Sequence, residues 1–189
     1  MITATIKDKP MAIDILTRSF VGNKSVNYII KNKNNKEQVK ALMAYSFDIC
    51  MRFGKVYFSD NRQGCALLLF PKGKRNSLYT LWLDIKLIVK AVGLTRIGIP
   101  LKRESTIKKL QLKEEHLYLW FIGVHPNSQH QGIGSELLSD IIGIAASMNL
   151  PLCLETSTVK NIPWYKKNDF EIYKQLDFGY LLYFLKKKY

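Results

Sequence analysis

An apolar run, a glycine-containing turn, an amphipathic helix and a second apolar run follow one another in the second half of the chain. Leu117-Tyr118-Leu119-Trp120-Phe121-Ile122 is rich in aromatic and apolar residues and reads as a buried strand. Gly123 interrupts it, which points to a bulge or a close backbone approach. Beyond the turn, Ile133, Leu137, Leu138, Ile141, Ile142, Ala145 and Met148 recur at helical spacing, so one helix face packs on a sheet. Pro151 stops that helix, and Leu152-Cys153-Leu154-Glu155-Thr156 returns as a strand. A strand-helix-strand unit with this crossover demands two parallel strands. Whatever else the chain forms must be built around that pair.

The turn itself reads Val124-His125-Pro126-Asn127-Ser128-Gln129-His130-Gln131-Gly132-Ile133-Gly134-Ser135. Unpaired N–H groups at a helix start converge on one spot, and the helix dipole favours negative charge there. Gly132 and Gly134 let a ligand approach the backbone closely. The order suits a pyrophosphate cradle. A plain strand-to-helix turn with no ligand is the alternative that these residues leave open.

Gln129-x-x-Gly132-x-Gly134, preceded by Val124-x-Pro126, resembles the acetyl-CoA signature of the GNAT superfamily of N-acyltransferases, Arg/Gln-x-x-Gly-x-Gly/Ala. A second block, Leu154 to Phe170, is similar to the family's Asn-x-x-x-Tyr-x-x-x-Gly-Phe segment through Asn161, Tyr165 and Phe170. Its Leu154-Glu155-Thr156-Ser157 opening resembles the branch that includes puromycin N-acetyltransferase. The likeness spans Leu117 to Phe170 and departs at Asp169, where the family has Gly. Asp tolerates left-handed backbone better than most residues, so the turn can survive.

The resemblance implies one α/β domain over residues 1–189. It has a mixed central sheet of GNAT type, helices on both faces and a helical insertion, about 76–115, before the central strand. It implies acetyl-CoA as co-substrate, no metal, and direct attack of a small-molecule amine on the acetyl thioester, with acetylation of a protein or peptide, or a non-catalytic module that binds CoA or nucleic acid, as the alternatives. The coenzyme site would comprise Ile122, Gly123 and Val124 along the strand, with Gln129, His130, Gln131, Gly132, Ile133, Gly134 and Ser135 in the turn. Main-chain groups near Gly123 would pair with the pantetheine arm like an added strand. Asn161 would contact the coenzyme or cap the following helix. Tyr165 is the expected general acid for the departing thiolate, with a sheet-covering aromatic as its alternative. Glu155 is the first candidate base, His116 and Tyr118 the others. Their structural alternatives are a buried hydrogen-bond partner for Glu155 and an exposed edge residue for His116.

Composition narrows the classes. A chain of 189 residues suffices for one domain with a real core. Its net charge of +14 invites a nucleic-acid reading. The lysines are scattered, however, as in Lys31, Lys33, Lys36, Lys72, Lys74 and Lys102, which suits a solvated surface and helps steer a polyanionic coenzyme. Cys50, Cys65 and Cys153 lie far apart in apolar surroundings and read as buried thiols of a reducing compartment. Asp8, Lys9 and Pro10 leave no apolar core of signal-peptide length, so a cytoplasmic location is expected. Leu78 to Leu94 carries Asp84, Lys86 and Lys90 and is too short and too charged to span a bilayer; no membrane partner is expected. A monomer or homodimer is anticipated.

Along the rest of the chain, helices are expected over about Met11 to Phe20, Glu37 to Arg52, Leu78 to Val92 and Arg103 to Lys113. Strands are expected at Lys55 to Ser59 and Cys65 to Phe70, and again at Glu171 to Leu176 and Tyr180 to Leu185, each pair a hairpin. Leu81, Trp82, Ile85, Ile88 and Val92 of the insertion either pack on the sheet or help wall the acceptor site.

Overall fold

The computed structural model describes residues 1–73 and 75–189; Lys74, one of the scattered lysines, lies outside them. Among the described residues one sheet runs in the order β1-β2-β3-β4-β5-β7-β6. Its strands are β1 (Ile2–Thr3), β2 (Gly54–Phe58), β3 (Gly64–Leu69), β4 (Leu117–Val124), β5 (Leu152–Thr156), β6 (Glu171–Asp177) and β7 (Leu181–Lys187). Only β4 and β5 pair in parallel; the other neighbours are antiparallel. The expected crossover unit is present, and the mixed sheet carries helices on both faces.

On one face, α1 (Lys9–Phe20) and α3 (Lys36–Phe53) bury Leu16, Phe47 and Ile49 against Val56, Phe58 and Leu67. Asn35 caps α3 by accepting from the Gln38 N–H at 3.0 Å. On the other face, α6 (Ile133–Ser147) sets Leu137, Leu138, Ile141 and Ala145 against Leu68, Leu119, Leu152 and Leu154, as its spacing requires. The short α7 (Ile162–Lys167) joins this core through Tyr165. Over β7, α5 (Gly98–Leu110) packs Ile107 on Leu182 and Phe184.

β4 carries a bulge, but not at Gly123. Leu67 faces Phe121 and Leu68 faces Leu119, which leaves Trp120 as the extra residue. The alternation therefore slips by one. Leu117, Leu119 and then Ile122 belong to the α6 core, while Tyr118, Trp120 and Phe121 belong to the α1–α3 core. Gly123 serves the other role foreseen for it: a Cβ there would lie 2.9 Å from Ser19 Oγ on α1.

Several bounds differ from expectation for identifiable reasons. α5 starts five residues before the expected Arg103, because Pro100 falls in its first turn, where a missing N–H costs little. α2 (Lys24–Ile29) carries no periodic signal because six residues are too few for one; Asn23 caps it by accepting from the Val26 N–H at 3.1 Å. β7 rather than β6 lies beside β5, an ordering that a hairpin pattern cannot specify. The first helix of the insertion, α4 (Leu78–Leu87), continues as a π-helical turn over Ile88–Val92 and ends at Gly93. It rests on α3, not on the sheet, and Leu81, Trp82 and Ile85 are exposed. Of the two alternatives for these three side chains, packing on the sheet is thereby removed.

Gly54 closes α3 and opens β2. A Cβ on it would meet Leu68 O at 1.9 Å, a backbone atom that cannot yield. Gly54→Ala should therefore cost at least about 3 kcal/mol, at the upper end of overpacking effects. Urea unfolding of the variant checks this, with an unchanged midpoint as the contrary result.

Candidate active site

β4 and β5 pair only through Leu117–Leu152 and Tyr118–Cys153. Farther along, β4 stays in register with β3 as far as Val124, and β5 with β7 as far as Thr156. The two central strands thus part after two residue pairs. Their facing edges, Leu119–Val124 and Leu154–Thr156, have no strand partner on that side among the described residues. The Trp120 bulge lies where they separate, and a bulge both bends a strand and increases its twist. An unpaired edge in mid-sheet is a ready acceptor for an extended ligand that can hydrogen-bond as a strand does. Ile122, Gly123 and Val124 lie on this edge, although the Val124 carbonyl already accepts from Ser19 Oγ at 2.8 Å and Gln129 Nε2 at 3.2 Å.

The turn leading to α6 stands at the mouth of that gap. His130 (φ 63°) and Gly132 (φ 82°) are left-handed, and Gly132 is the N-cap of α6 without a side-chain capping bond. Among the described residues the N–H groups of His130, Gln131, Gly132, Ile133 and Gly134 have no hydrogen-bond acceptor. Five consecutive free donors at a helix N-terminus are an arrangement that can receive an anion. The Ser135 N–H differs: it donates to the Gly132 carbonyl at 2.9 Å, while Ser135 Oγ accepts from Trp164 Nε1 at 3.0 Å. No atom lies within 4 Å of where a Gly132 Cβ would stand, so the approach is open. The loop is braced from behind: His125 N–H donates to the Gln63 carbonyl at 2.8 Å, and Ser128 Oγ to Gln63 Oε1 at 3.3 Å. These residues fit a pyrophosphate.

Glu155 sits on the diverging part of β5, on the face away from α6. Its carboxylate accepts from the Tyr118 hydroxyl and from Gln111 Nε2 at 3.0 Å. Dense protein surroundings push its pKa up through desolvation, against the opposing pull of these two donors. Burial beside the same carboxylate also raises the Tyr118 phenol. Tyr118 is thus the hydrogen-bond donor of the pair and Glu155 the acceptor. His116 is not the exposed edge residue its position suggested. It is buried, its Nδ1 is 2.9 Å from the Glu114 carbonyl, and its Nε2 has no partner among the described residues. It also lies at the end where β4 and β5 are still paired, away from the gap.

A wall of side chains closes over the Glu155 face. Arg103 of α5 donates to Ser25 Oγ at 2.6 Å and to the Tyr180 hydroxyl at 3.1 Å, tying α5 to α2 and to the β6–β7 turn. Tyr28 lies 5.6 Å from both Phe178 and Tyr180, ring centre to ring centre. Ser157 Oγ, just past β5, accepts from the Ser25 N–H at 3.3 Å. Neither Arg103 nor Gln111 carried a local sequence signal, since both are ordinary surface residue types on an insertion helix. Only the chain path brings them here.

Tyr165 occupies the opposite face of the gap. It is buried in the α6 core between Trp164 and Phe170, with ring centres 4.7 and 5.7 Å away. Among the described residues no side chain or backbone group is hydrogen-bonded to its hydroxyl, and burial raises its pKa. Asn161 is the N-cap residue of α7 but makes no side-chain capping bond, so its capping alternative falls away. Asp169 adopts φ 62°, the left-handed geometry expected of it, and the Phe170 N–H closes the helix end on the Tyr165 carbonyl at 3.2 Å. The Asp-for-Gly departure leaves the turn intact.

Residues 84–172 match the acetyltransferase (GNAT) domain family. Solved structures share the fold over essentially the whole chain. A Corynebacterium glutamicum structure, described as histone acetyltransferase HPA2 and related acetyltransferase, superposes with a TM-score of 0.67 at 17% identity, covering 100% of this chain and 95% of the other. Mosquito arylalkylamine N-acetyltransferase like 5b gives 0.63 at 13% identity, with 99% and 98% coverage. The C-terminal condensation domain of Ebony, in complex with beta-alanyl-dopamine, gives 0.73 at 10% identity, with 100% and 97% coverage.

Proposed function

We propose, for a chain that carries a GNAT acetyltransferase domain and hence a family's reliance on acetyl-CoA, that the acetyl group passes to the primary amine of a small molecule. The reading rests on one observation: the gap between β4 and β5 has an anion nest at its mouth, Glu155 on one face and Tyr165 on the other. The coenzyme supplies an activated acetyl thioester; the chain must orient it, take a proton from the amine and return one to the thiolate. The nest from His130 to Gly134 holds the pyrophosphate, and the free edge of β4 around Ile122 to Val124 guides the pantetheine arm. Asn161, uncommitted by capping, contacts the coenzyme.

Glu155 is the base, acting directly or through one water. A carboxylate whose pKa is raised toward the working pH is better suited to that task than an ordinary one. Tyr118 and Gln111 hold its two oxygens in place and are positioning residues. Across the gap, Tyr165 keeps its proton because burial disfavours the phenolate, and so can donate to the departing sulfur. Base and acid on opposite faces match an acceptor and a leaving group on opposite sides of the reacting carbonyl.

The closed wall of Tyr28, Phe178, Tyr180 and Arg103 favours a small amine over a polypeptide segment, which needs an open groove. Aromatic lining puts arylalkylamines first, in keeping with the arylalkylamine acetyltransferases among chains of this fold. The resemblance of Leu154-Glu155-Thr156-Ser157 to the puromycin branch adds amino-nucleosides. Thiol release from acetyl-CoA with arylalkylamines, puromycin and N-terminal peptides tests the proposal. Turnover of a small amine is expected, and Tyr165→Phe should lower it by about 100-fold with coenzyme affinity held within about twofold. Turnover of peptides alone would give the site to protein N-acetylation instead. Unchanged turnover in the Phe variant would remove the general-acid role.

A further inference from the structure

None of the side chains assigned to acetyl transfer lies on the outer face of α4. This helix packs on α3 through Leu83 and Leu87, and its π-helical extension does so through Ala91, while Thr80 and Val92 are also buried. On the opposite side Leu78, Leu81, Trp82, Ile85 and Val89 recur at i, i+3, i+4, i+7 and i+11, and each is more than half exposed, Leu78 to 87%. A helix apolar on both sides is normally buried on both. An exposed stripe of this extent marks a surface that meets something apolar.

Charge says what. From Leu78 to Val92 the helix and its extension carry two lysines, Lys86 and Lys90, against a single acid. The acid, Asp84, accepts from the Tyr45 hydroxyl of α3 at 2.8 Å and is turned away from the stripe. Lys86 and Lys90 flank it, with Lys86 Nζ 4.7 Å from the Trp82 ring centre, and Tyr79 stacks on Trp82 at 6.1 Å. An apolar stripe edged by lysines, with Trp and Tyr at the boundary, suits the level where acyl chains meet headgroups.

We infer that this face docks the protein on the surface of an anionic lipid bilayer. Leu78, Leu81, Trp82, Ile85 and Val89 enter the acyl boundary, while Lys86 and Lys90 stay with the headgroups. Leu78 to Leu94 is too short and too charged to span a bilayer, and no described helix is long and apolar enough to cross one. Lying in the interface needs only an apolar face and a basic rim. A nucleic acid would be met by basic side chains without protruding leucines. A second copy would bring two like-charged rims together.

Sedimentation of the full chain with phosphatidylcholine vesicles, with and without phosphatidylglycerol, tests this beside a Leu81→Glu/Ile85→Glu double variant. Both positions are exposed, so the variant should keep the wild-type melting temperature and acetyl-CoA affinity. The wild type is expected to sediment with the anionic vesicles, less so as salt rises, and the variant to bind at least about tenfold more weakly. No binding to anionic vesicles overturns the inference. So does equal binding by the variant, which would leave charge alone responsible. A dimer in light scattering that the variant dissolves would assign the face to a second copy.

Discussion

Gly134→Glu should abolish acetyl-CoA binding, weakening it at least about 100-fold in calorimetry while the protein stays folded. A Cβ at Gly134 would meet Val124 Cγ2 at 3.5 Å and Trp164 Cζ2 at 4.0 Å, ordinary contacts that the fold can accept. A carboxylate at that point, however, would sit among the free N–H groups of His130 to Gly134 and occupy them itself. Two unit charges 4 Å apart repel by roughly 4 kcal/mol at an effective dielectric constant of 20, and a pyrophosphate brings more than one. Gly134→Ala adds the side-chain carbon without the charge and should lose only a few-fold. Wild-type affinity in the Glu variant would mean that the nest is not the phosphate site. Loss in both variants with a lowered melting temperature would mean that the loop had collapsed.

Glu155→Gln should lower turnover by 10²- to 10⁴-fold, roughly the range for a general base, without lowering stability. The stability half follows from the sign of the shift. Folding raises the Glu155 pKa, so the folded chain holds that proton more tightly than the unfolded one. The stability this contributes is complete below the ordinary carboxylate range and is lost as pH rises through the folded value. At neutral pH the ionised group therefore works against folding, and a neutral amide relieves it. The Gln oxygen can still accept from Tyr118, and the Gln111 amide can rotate to offer its own oxygen. Melting temperatures should match or exceed wild type at pH 7 and converge in acid. The rate should also rise with pH along a limb displaced above the ordinary carboxylate range, and the variant should lack that limb. A variant with full activity would leave Glu155 as a buried hydrogen-bond partner only.

Much of the fold was legible because its signals are local. The helix from Ile133 shows its buried stripe every three to four residues, and the parallel pair follows from the length of the crossover. Gly132 and Asp169 are both left-handed, the first through its missing side chain and the second through a short polar one that tolerates the geometry. The candidate site was legible where it is continuous in sequence, from Gln129 to Gly134 and from Asn161 to Tyr165. It was not legible where it is assembled across the chain. Gln111 reaches Glu155 from 44 positions away, and Arg103 reaches Ser25 from 78 away. Even within the loop, periodicity could not tell that the Ser135 N–H is spent on Gly132.

By itself, then, the sequence determined a parallel strand pair, a glycine turn at the start of a helix, and two ionisable candidates in one motif. Periodicity, turn chemistry and dipoles act over a few residues, so a single stretch of chain suffices to specify them. Tertiary structure decided the remainder. It moved the bulge from Gly123 to Trp120, because only pairing with β3 reveals which residue has no opposite number. It buried His116, gave Glu155 its raised pKa and partners, and turned one face of α4 outward. Burial and proximity are properties of the packed chain, and no local spacing encodes them.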